Sequence, residues 1–131
     1  MTILEIRLDW SELDLFGHIN NVAFFKYFQA ARVQFVEHIG LAALYEKELT
    51  GFIVAETNCR FILPLNYPGN ISLHTSVEKI GDSSFILTHD LKSHDQTAAT
   101  GRDVLVVYNY SENKKQPIPP DIAAQLRRHL S

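Results

Sequence analysis

The spacing of hydrophobic positions changes period several times along the chain, and each change marks an element. From Ile3 to Asp9, Leu4, Ile6 and Leu8 alternate with Ile3, Glu5, Arg7 and Asp9, which predicts a strand with one buried face. Trp10 to Asn21 is rich in Asp, Gly, His and Asn and reads as a loop. From Asn21 to Ile39 there is neither Pro nor Gly, Asn20 or Asn21 can cap the start, and Gly40 can end the run. The spacing predicts a helix of about five turns there. Val22, Ala23, Phe24, Phe25, Tyr27, Phe28, Ala30 and Ala31 cover most of its circumference, the mark of a helix buried on all sides.

Strand patterns then follow one another. Phe52 to Leu63 is strand-like and ends at Pro64. Asn70 to Ile80 sets Ile71, Leu73, Thr75 and Val77 against Ser72, His74, Ser76 and Glu78. Gly81-Asp82 is a turn, Phe85 to Leu91 alternates again, and Ala98 to Tyr110 holds the β-branched run of a central strand. Pro117, Pro119 and Pro120 end the sheet, and Asp121 to Leu130 reads as a short helix. One strand, a long helix and four consecutive strands predict an α+β fold with a five-stranded antiparallel sheet packed on the helix.

Composition narrows the class. The 131 residues fit one domain over 1–131, long enough to bury roughly two-thirds of the unfolded surface. Lys plus Arg total 12 and Asp plus Glu total 15, a net charge of −3, which argues against nucleic acid as a partner. At 46% hydrophobic the chain is not a disordered acidic tail. One cysteine, Cys59, allows no intrachain disulfide and reads as a small buried hydrophobe. His38, His74, His89, His94 and His129 show no metal-ligand spacing and read as surface residues. No signal-like or membrane-spanning run is visible, so the expected location is cytoplasmic.

The chemistry concentrates in Asp14-Leu15-Phe16-Gly17-His18-Ile19-Asn20-Asn21. A carboxylate, a glycine, an imidazole and two amides precede a helix whose first turn offers unpaired N–H groups and a partial positive charge. Such a site can hold an oxyanion, while a nearby carboxylate activates water or attacks a carbonyl. Gly17 lets a ligand approach the backbone. Taken singly, Asp14 also reads as a turn former, His18 as a loop histidine, and Asn20 and Asn21 as ordinary caps. Their grouping beside the apolar helix is what points to a site.

This block, with Phe24, Phe25, Phe28 and Ala31-Arg32 after it, resembles the signature of hotdog-fold acyl-CoA thioesterases of the 4-hydroxybenzoyl-CoA thioesterase type. Arg60-Phe61-Ile62-Leu63-Pro64-Leu65, Gly69-Asn70, Gly81 to Phe85 and Leu105 to Tyr108 are similar to later stretches of that family, so the likeness spans about residues 3 to 120. Gln29 and Asn70 stand where Glu and Asp are usual.

The resemblance implies a sheet curled around the long helix, a homodimer or dimer of dimers joined edge to edge, and active sites between subunits. It implies hydrolysis of an acyl thioester of coenzyme A, or of acyl carrier protein, with no cofactor and no metal. By position Asp14 would be nucleophile or general base and the Asn21 N–H would polarise the thioester carbonyl. Gly17 would admit the substrate, and His18 and Asn20 would orient substrate or water. Glu56 is a rival carboxylate. Arg60, Arg102, Lys114, Lys115, Arg127 and Arg128 are candidates for the coenzyme A phosphates. Trp10, Phe16 and Tyr67 are candidates for lining an acyl tunnel. Two other functions stay open: a hydratase or dehydratase with His18 as acid/base, and a non-hydrolytic acyl-thioester binding protein.

Overall fold

The computed structural model describes residues 1–131. In chain order the elements are β1 (Thr2–Arg7), a 3-10 turn (Trp10–Glu12), α1 (Asn21–His38), α2 (Leu41–Glu48), β2 (Thr50–Phe61), β3 (Asn70–Ile80), β4 (Ser84–Ser93), β5 (Gln96–Asn109), β6 (Lys114–Lys115) and α3 (Pro120–Arg127). The strands pair antiparallel in the order β1-β3-β4-β5-β2, and the two-residue β6 adds to the end of β5. This is the expected α+β hotdog arrangement, with a sixth, very short strand in place of a strictly five-stranded sheet.

Two departures from the sequence reading have physical causes. Gly40 does end α1, at φ +89°, but the chain turns there and starts α2. That second helix went unread because only Leu41 of its eight residues is buried, so its apolar stripe is short. The second concerns α1 itself, which is not buried on all sides. Ala23, Phe24, Tyr27, Phe28, Ala31, Phe35 and Val36 face the sheet, while Val22, Phe25 and Val33 are 64, 37 and 47% exposed. One sheet covers one face of a helix. At the open edge of the sheet, β2 leaves Val54 and Phe61 uncovered on the helix side, opposite Leu105 and Ala99, and Ile53 uncovered on the outer face.

The core has a front and a rear. Phe24, Tyr27, Phe28 and Ala31 pack on Ile71, Leu73, Leu91 and Ala99 at the front, with Leu8, Ile19 and Leu65 closing that end. Phe35, Val36, Leu41, Ile122 and Leu126 pack on Val77, Phe85, Leu87, Leu105 and Val107 at the rear. Between them Thr75, His89 and Asp103 form a buried polar belt, which Thr57 and Arg32 reach from less buried positions. His89 places Nδ1 2.8 Å from the Thr75 hydroxyl and Nε2 2.7 Å from Asp103 Oδ2. Thr57 donates to Asp103 Oδ1 at 2.7 Å, and Arg32 reaches down from α1 to Oδ2 at 3.1 Å. A carboxylate can only accept, so His89 Nε2 carries a proton.

His89 is therefore no surface residue: it is 1% exposed and stacks under Phe28 with ring centroids 5.3 Å apart. Its place in the alternation of β4, with Phe85, Leu87 and Leu91, points it inward. Of the other histidines, His38 and His94 are exposed and His74 and His129 half-buried. Cys59 is also half-buried against the front core, and that burial pushes its thiol up to about 11.

Phe28 lies flat against β5. A Cβ built on Gly101 would sit 2.8 Å from the Phe28 ring, closer than side chains approach. Gly101→Ala should therefore cost about 1–3 kcal/mol. The measurement is a urea unfolding curve, expected to move to a lower midpoint with an unchanged slope. A midpoint equal to wild type would mean that the helix shifts freely over the sheet.

Candidate active site

The segment between β1 and α1 is pinned at both ends. Asp9 caps the 3-10 turn through a hydrogen bond from the Ser11 N–H at 2.9 Å. Leu13 bridges Ile19, His18 bridges Asn66, and the Ile19 N–H donates to the Leu65 carbonyl at 2.9 Å. Glu12 clamps the segment onto the helix by accepting from Tyr27 Oη at 2.7 Å and Lys26 Nζ at 2.9 Å. Burial works against the Glu12 charge, but these two donors outweigh it and hold the carboxyl below its usual range. Burial, and then the same Glu12 contact, raise the Tyr27 hydroxyl well above its ordinary value.

Inside this frame Asp14 Oδ1 accepts from the N–H groups of Phe16 (2.8 Å) and His18 (3.1 Å). The Asp14 N–H donates to the His18 carbonyl at 2.7 Å, closing a tight loop. Oδ1 is thus fixed by the backbone, and Oδ2 takes part in no hydrogen bond within the chain. Gly17 sits at φ +81°, the left-handed region that an L side chain adopts at a cost, and nothing lies within 4 Å of where a Cβ would be. The backbone there is open to an approaching ligand.

Asn20 is the N-cap of α1. Its Oδ1 accepts from the Ala23 N–H and its Nδ2 donates to the Glu12 carbonyl, both at 2.9 Å. Both ends of the amide are engaged with backbone, so the side chain holds the helix start. Asn20→Ala should cost about 1–2 kcal/mol. Asn20→Asp, which keeps the acceptor for Ala23, should recover most of that in thermal unfolding. Equal melting of Asn20→Ala and wild type would remove the cap from this account. Asn21 is the first helical residue, and its N–H has no partner inside the helix.

Asp14, His18 and Asn21 line a cavity of about 330 Å³ together with Phe24, Phe61, Ile62 and Leu63. Phe24 and Phe61 meet edge to face at 5.0 Å. A carboxylate oxygen, an imidazole and a helix N-terminus therefore share a space with an apolar wall. This suits an uncharged, polarisable group such as a carbonyl attached to an apolar body. The wall residues Phe61 to Leu63 are ones that reading the chemistry from side-chain types passed over. The signal was the abrupt end of an apolar strand at Pro64.

The other expected residues lie elsewhere. Glu56 is exposed on β2, outside the cavity, and makes no ion pair. Phe16 and Trp10 are 80 and 68% exposed in the single chain, and Trp10 and Tyr67 border a separate cleft. Arg60 and Arg102 stand on the outer face of the sheet. Lys114 and Lys115 form β6, and Arg127 and Arg128 end α3, whose Ile122 and Leu126 belong to the rear core, away from Asp14. No group of three or more His, Cys, Asp or Glu is placed to hold a metal ion. No helix is long and apolar enough to cross a membrane.

Comparison with known proteins points the same way as the geometry. The family model of the thioesterase-like superfamily matches residues 8–126. A predicted thioesterase from Bacillus stearothermophilus has a similar structure, with TM-score 0.90 and 26% identity over 98% of this chain and 96% of that one. DHNA-CoA thioesterase from Staphylococcus aureus shares the fold at TM-score 0.85 and 20% identity, covering 97% of this chain and 89% of that one. The uncharacterised protein YsmA of Bacillus subtilis (strain 168) is 26% identical over 83 residues, which are 63% of this chain and 55% of that protein's length. The pinned acidic loop at a helix N-terminus, the curled sheet and the family match lead to one assignment: the chain belongs to the thioesterase-like superfamily and has the hotdog fold.

Proposed function

We propose that this protein hydrolyses acyl thioesters of coenzyme A at the cavity beside Asp14. The observation that carries the reading is the unengaged Asp14 Oδ2, held by a backbone-fixed Oδ1 next to the open N-terminus of α1. The thioester carbonyl oxygen takes the Asn21 N–H, where the helix dipole and the unpaired donor favour the charge that develops during attack. Asp14 accepts a proton from water as the water oxygen bonds to the carbonyl carbon. The carbon–sulfur bond then breaks, and the proton passes to the departing thiolate. In the direct alternative Oδ2 itself bonds to the carbonyl carbon and the carbon–sulfur bond breaks, releasing thiolate and leaving a mixed anhydride; water then cleaves the anhydride to free acid and the Asp14 carboxylate, and its proton passes to the thiolate. A thiolate leaves without a strong acid, so one carboxylate and one oxyanion donor suffice. His18 orients the substrate or the water, and Gly17 leaves room for the thioester.

A second copy of the chain completes the site in this reading. Two β2 edges paired antiparallel about a two-fold axis cover Ile53, Val54 and Phe61 and bring a partner against the apolar wall of the cavity. The location consistent with this substrate is the cytoplasm.

The test is release of free thiol from short, long, branched and aromatic acyl-CoAs and from acyl carrier protein thioesters. Thiol release above the buffer rate on at least one acyl group is expected. An enoyl product without free thiol would overturn the reading in favour of a lyase, and tight binding without turnover would overturn it in favour of a carrier.

A further inference from the structure

The seam where the residues after α3 meet β3 lies apart from the Asp14 cavity, and none of its residues borders that cavity. β1 covers the edge of β3 only from Asn70 to Thr75, where Thr2 is the last partner. One step beyond, the segment after α3 takes over. The Val77 N–H donates to the His129 carbonyl at 2.8 Å, the Ser131 N–H donates back to the Val77 carbonyl at 2.9 Å, and Leu130 bridges Val77 in parallel. The His129 ring meets Phe35 edge to face at 5.2 Å, so this short segment closes the rear core as well as the sheet edge.

Two observations make this closure sensitive to protons. First, His129 Nδ1 is buried and has no hydrogen-bond partner. An imidazolium donates from both ring nitrogens, so a charged ring in this seat would leave a buried N–H unpaired. Second, the ionisable groups acting on the ring are basic. The His38 ring on α1 lies 5.1 Å away, the Met1 amino group stands before β1, and Arg128 ends α3. The acidic side chains of the same elements are turned elsewhere: Glu78 of β3 pairs with Arg102, and Glu37 of α1 lines the groove between α1 and α2. Burial, and then the Met1 amino group, His38 and Arg128, hold the docked imidazole below its usual range.

We infer that Arg128–Ser131 is a proton-operated latch, docked on β3 while His129 is neutral and released when the ring takes a proton. In water both ring nitrogens find partners, so the released segment binds the proton more tightly than the docked one. A histidine lowered in this way contributes fully to docking above its free value of 6.5, and the contribution is lost as pH falls below it. Ile122 and Leu126 stay in the rear core, so α3 holds while the residues after it swing away. Release opens the Val77 N–H and carbonyl at the sheet edge and uncovers Phe35. The latch goes beyond thioester hydrolysis and does not depend on it.

Hydrogen exchange of the full chain, read by mass spectrometry and corrected for the intrinsic rate at each pH, tests it. In wild type, protection of the peptides holding Val77 and Leu130–Ser131 should fall severalfold, at most about tenfold, from about pH 7.5 to about pH 5.5, the span set by one group that titrates near 6.5 when released. A peptide from the middle of β5 should keep its protection. His129→Phe keeps a ring on Phe35 but binds no proton, so its protection should be equal at both pH values. The midpoint of the wild-type fall should also coincide with that of the His129 ring protons in an NMR titration, which decides the matter if the phenylalanine fails to seat. Constant protection in wild type, or an equal fall in His129→Phe or in the β5 peptide, would overturn the latch. So would a ring midpoint apart from the Val77 midpoint.

Discussion

Asp14→Asn should lower kcat for thioester hydrolysis by about 10²- to 10⁴-fold, the range over which a positioned proton acceptor acts. The substitution isolates chemistry from architecture. An asparagine keeps a carbonyl oxygen where Oδ1 stands, so it can still accept from the Phe16 and His18 N–H groups that shape the loop. What it loses is the charge and basicity at Oδ2. The circular dichroism spectrum and melting temperature should match wild type while steady-state thiol release collapses. KM should move little, since the carboxylate is not asked to bind the substrate ground state. Turnover equal to wild type would remove Asp14 from the mechanism and send attention to His18, the other titratable group in the cavity.

The second large effect concerns stability. Asp103→Ala should lower unfolding free energy by about 3–5 kcal/mol, because it leaves Arg32 and His89 facing each other in the core with no carboxylate between them. That is a large share of the roughly 5–15 kcal/mol that hold a typical domain folded. Acid dependence gives a separate readout. Burial pushes the Asp103 carboxyl up, but the His89 hydrogen bond and charge, the Thr57 hydroxyl and Arg32 outweigh it and hold it below its ordinary 3.8. A carboxyl lowered by folding contributes stability that is complete above the unfolded value and is lost as pH falls through the folded one. Urea midpoints of wild type should therefore drop as pH goes below 3.8, and those of Asp103→Ala should drop less over the same window. Parallel curves for the two proteins would show that the charge of Asp103 is not coupled to folding.

Most of the fold was legible because its signals are local. The alternation in Asn70–Ile80 matches β3 residue for residue, and the Pro- and Gly-free run gives α1 to within one residue at its C-terminal end. The loop chemistry was legible for the same reason, since Asp14 to Asn21 are neighbours in sequence. Reading failed where the deciding partner is distant. Nothing in the sequence marks the Glu12 carbonyl, eight residues back, as the partner of Asn20 Nδ2. His89 looked like surface because one imidazole in an alternating strand carries no mark of the Asp103 and Thr75 side chains that accompany it inward. The exposure of Val22, Phe25 and Val33 was hidden by a like cause: composition states that a helix is apolar, not how many sheets cover it.

The polar belt between the two halves of the core also checks how the strands align. Hydrophobic residues alone discriminate weakly between pairings two residues apart, because one apolar side chain fills another's place with modest loss. A one-residue slip of β4 would turn its apolar side chains and His89 to the outer face and take from Asp103 one of its two donors at 2.7 Å. A two-residue slip would keep His89 inside but slide it off both Thr75 and Asp103. Each misalignment removes the imidazole from a buried carboxylate, so this small set of polar atoms acts as a checksum on the pairing of β3, β4 and β5, and the sheet that carries the Asp14 cavity wall closes in one register.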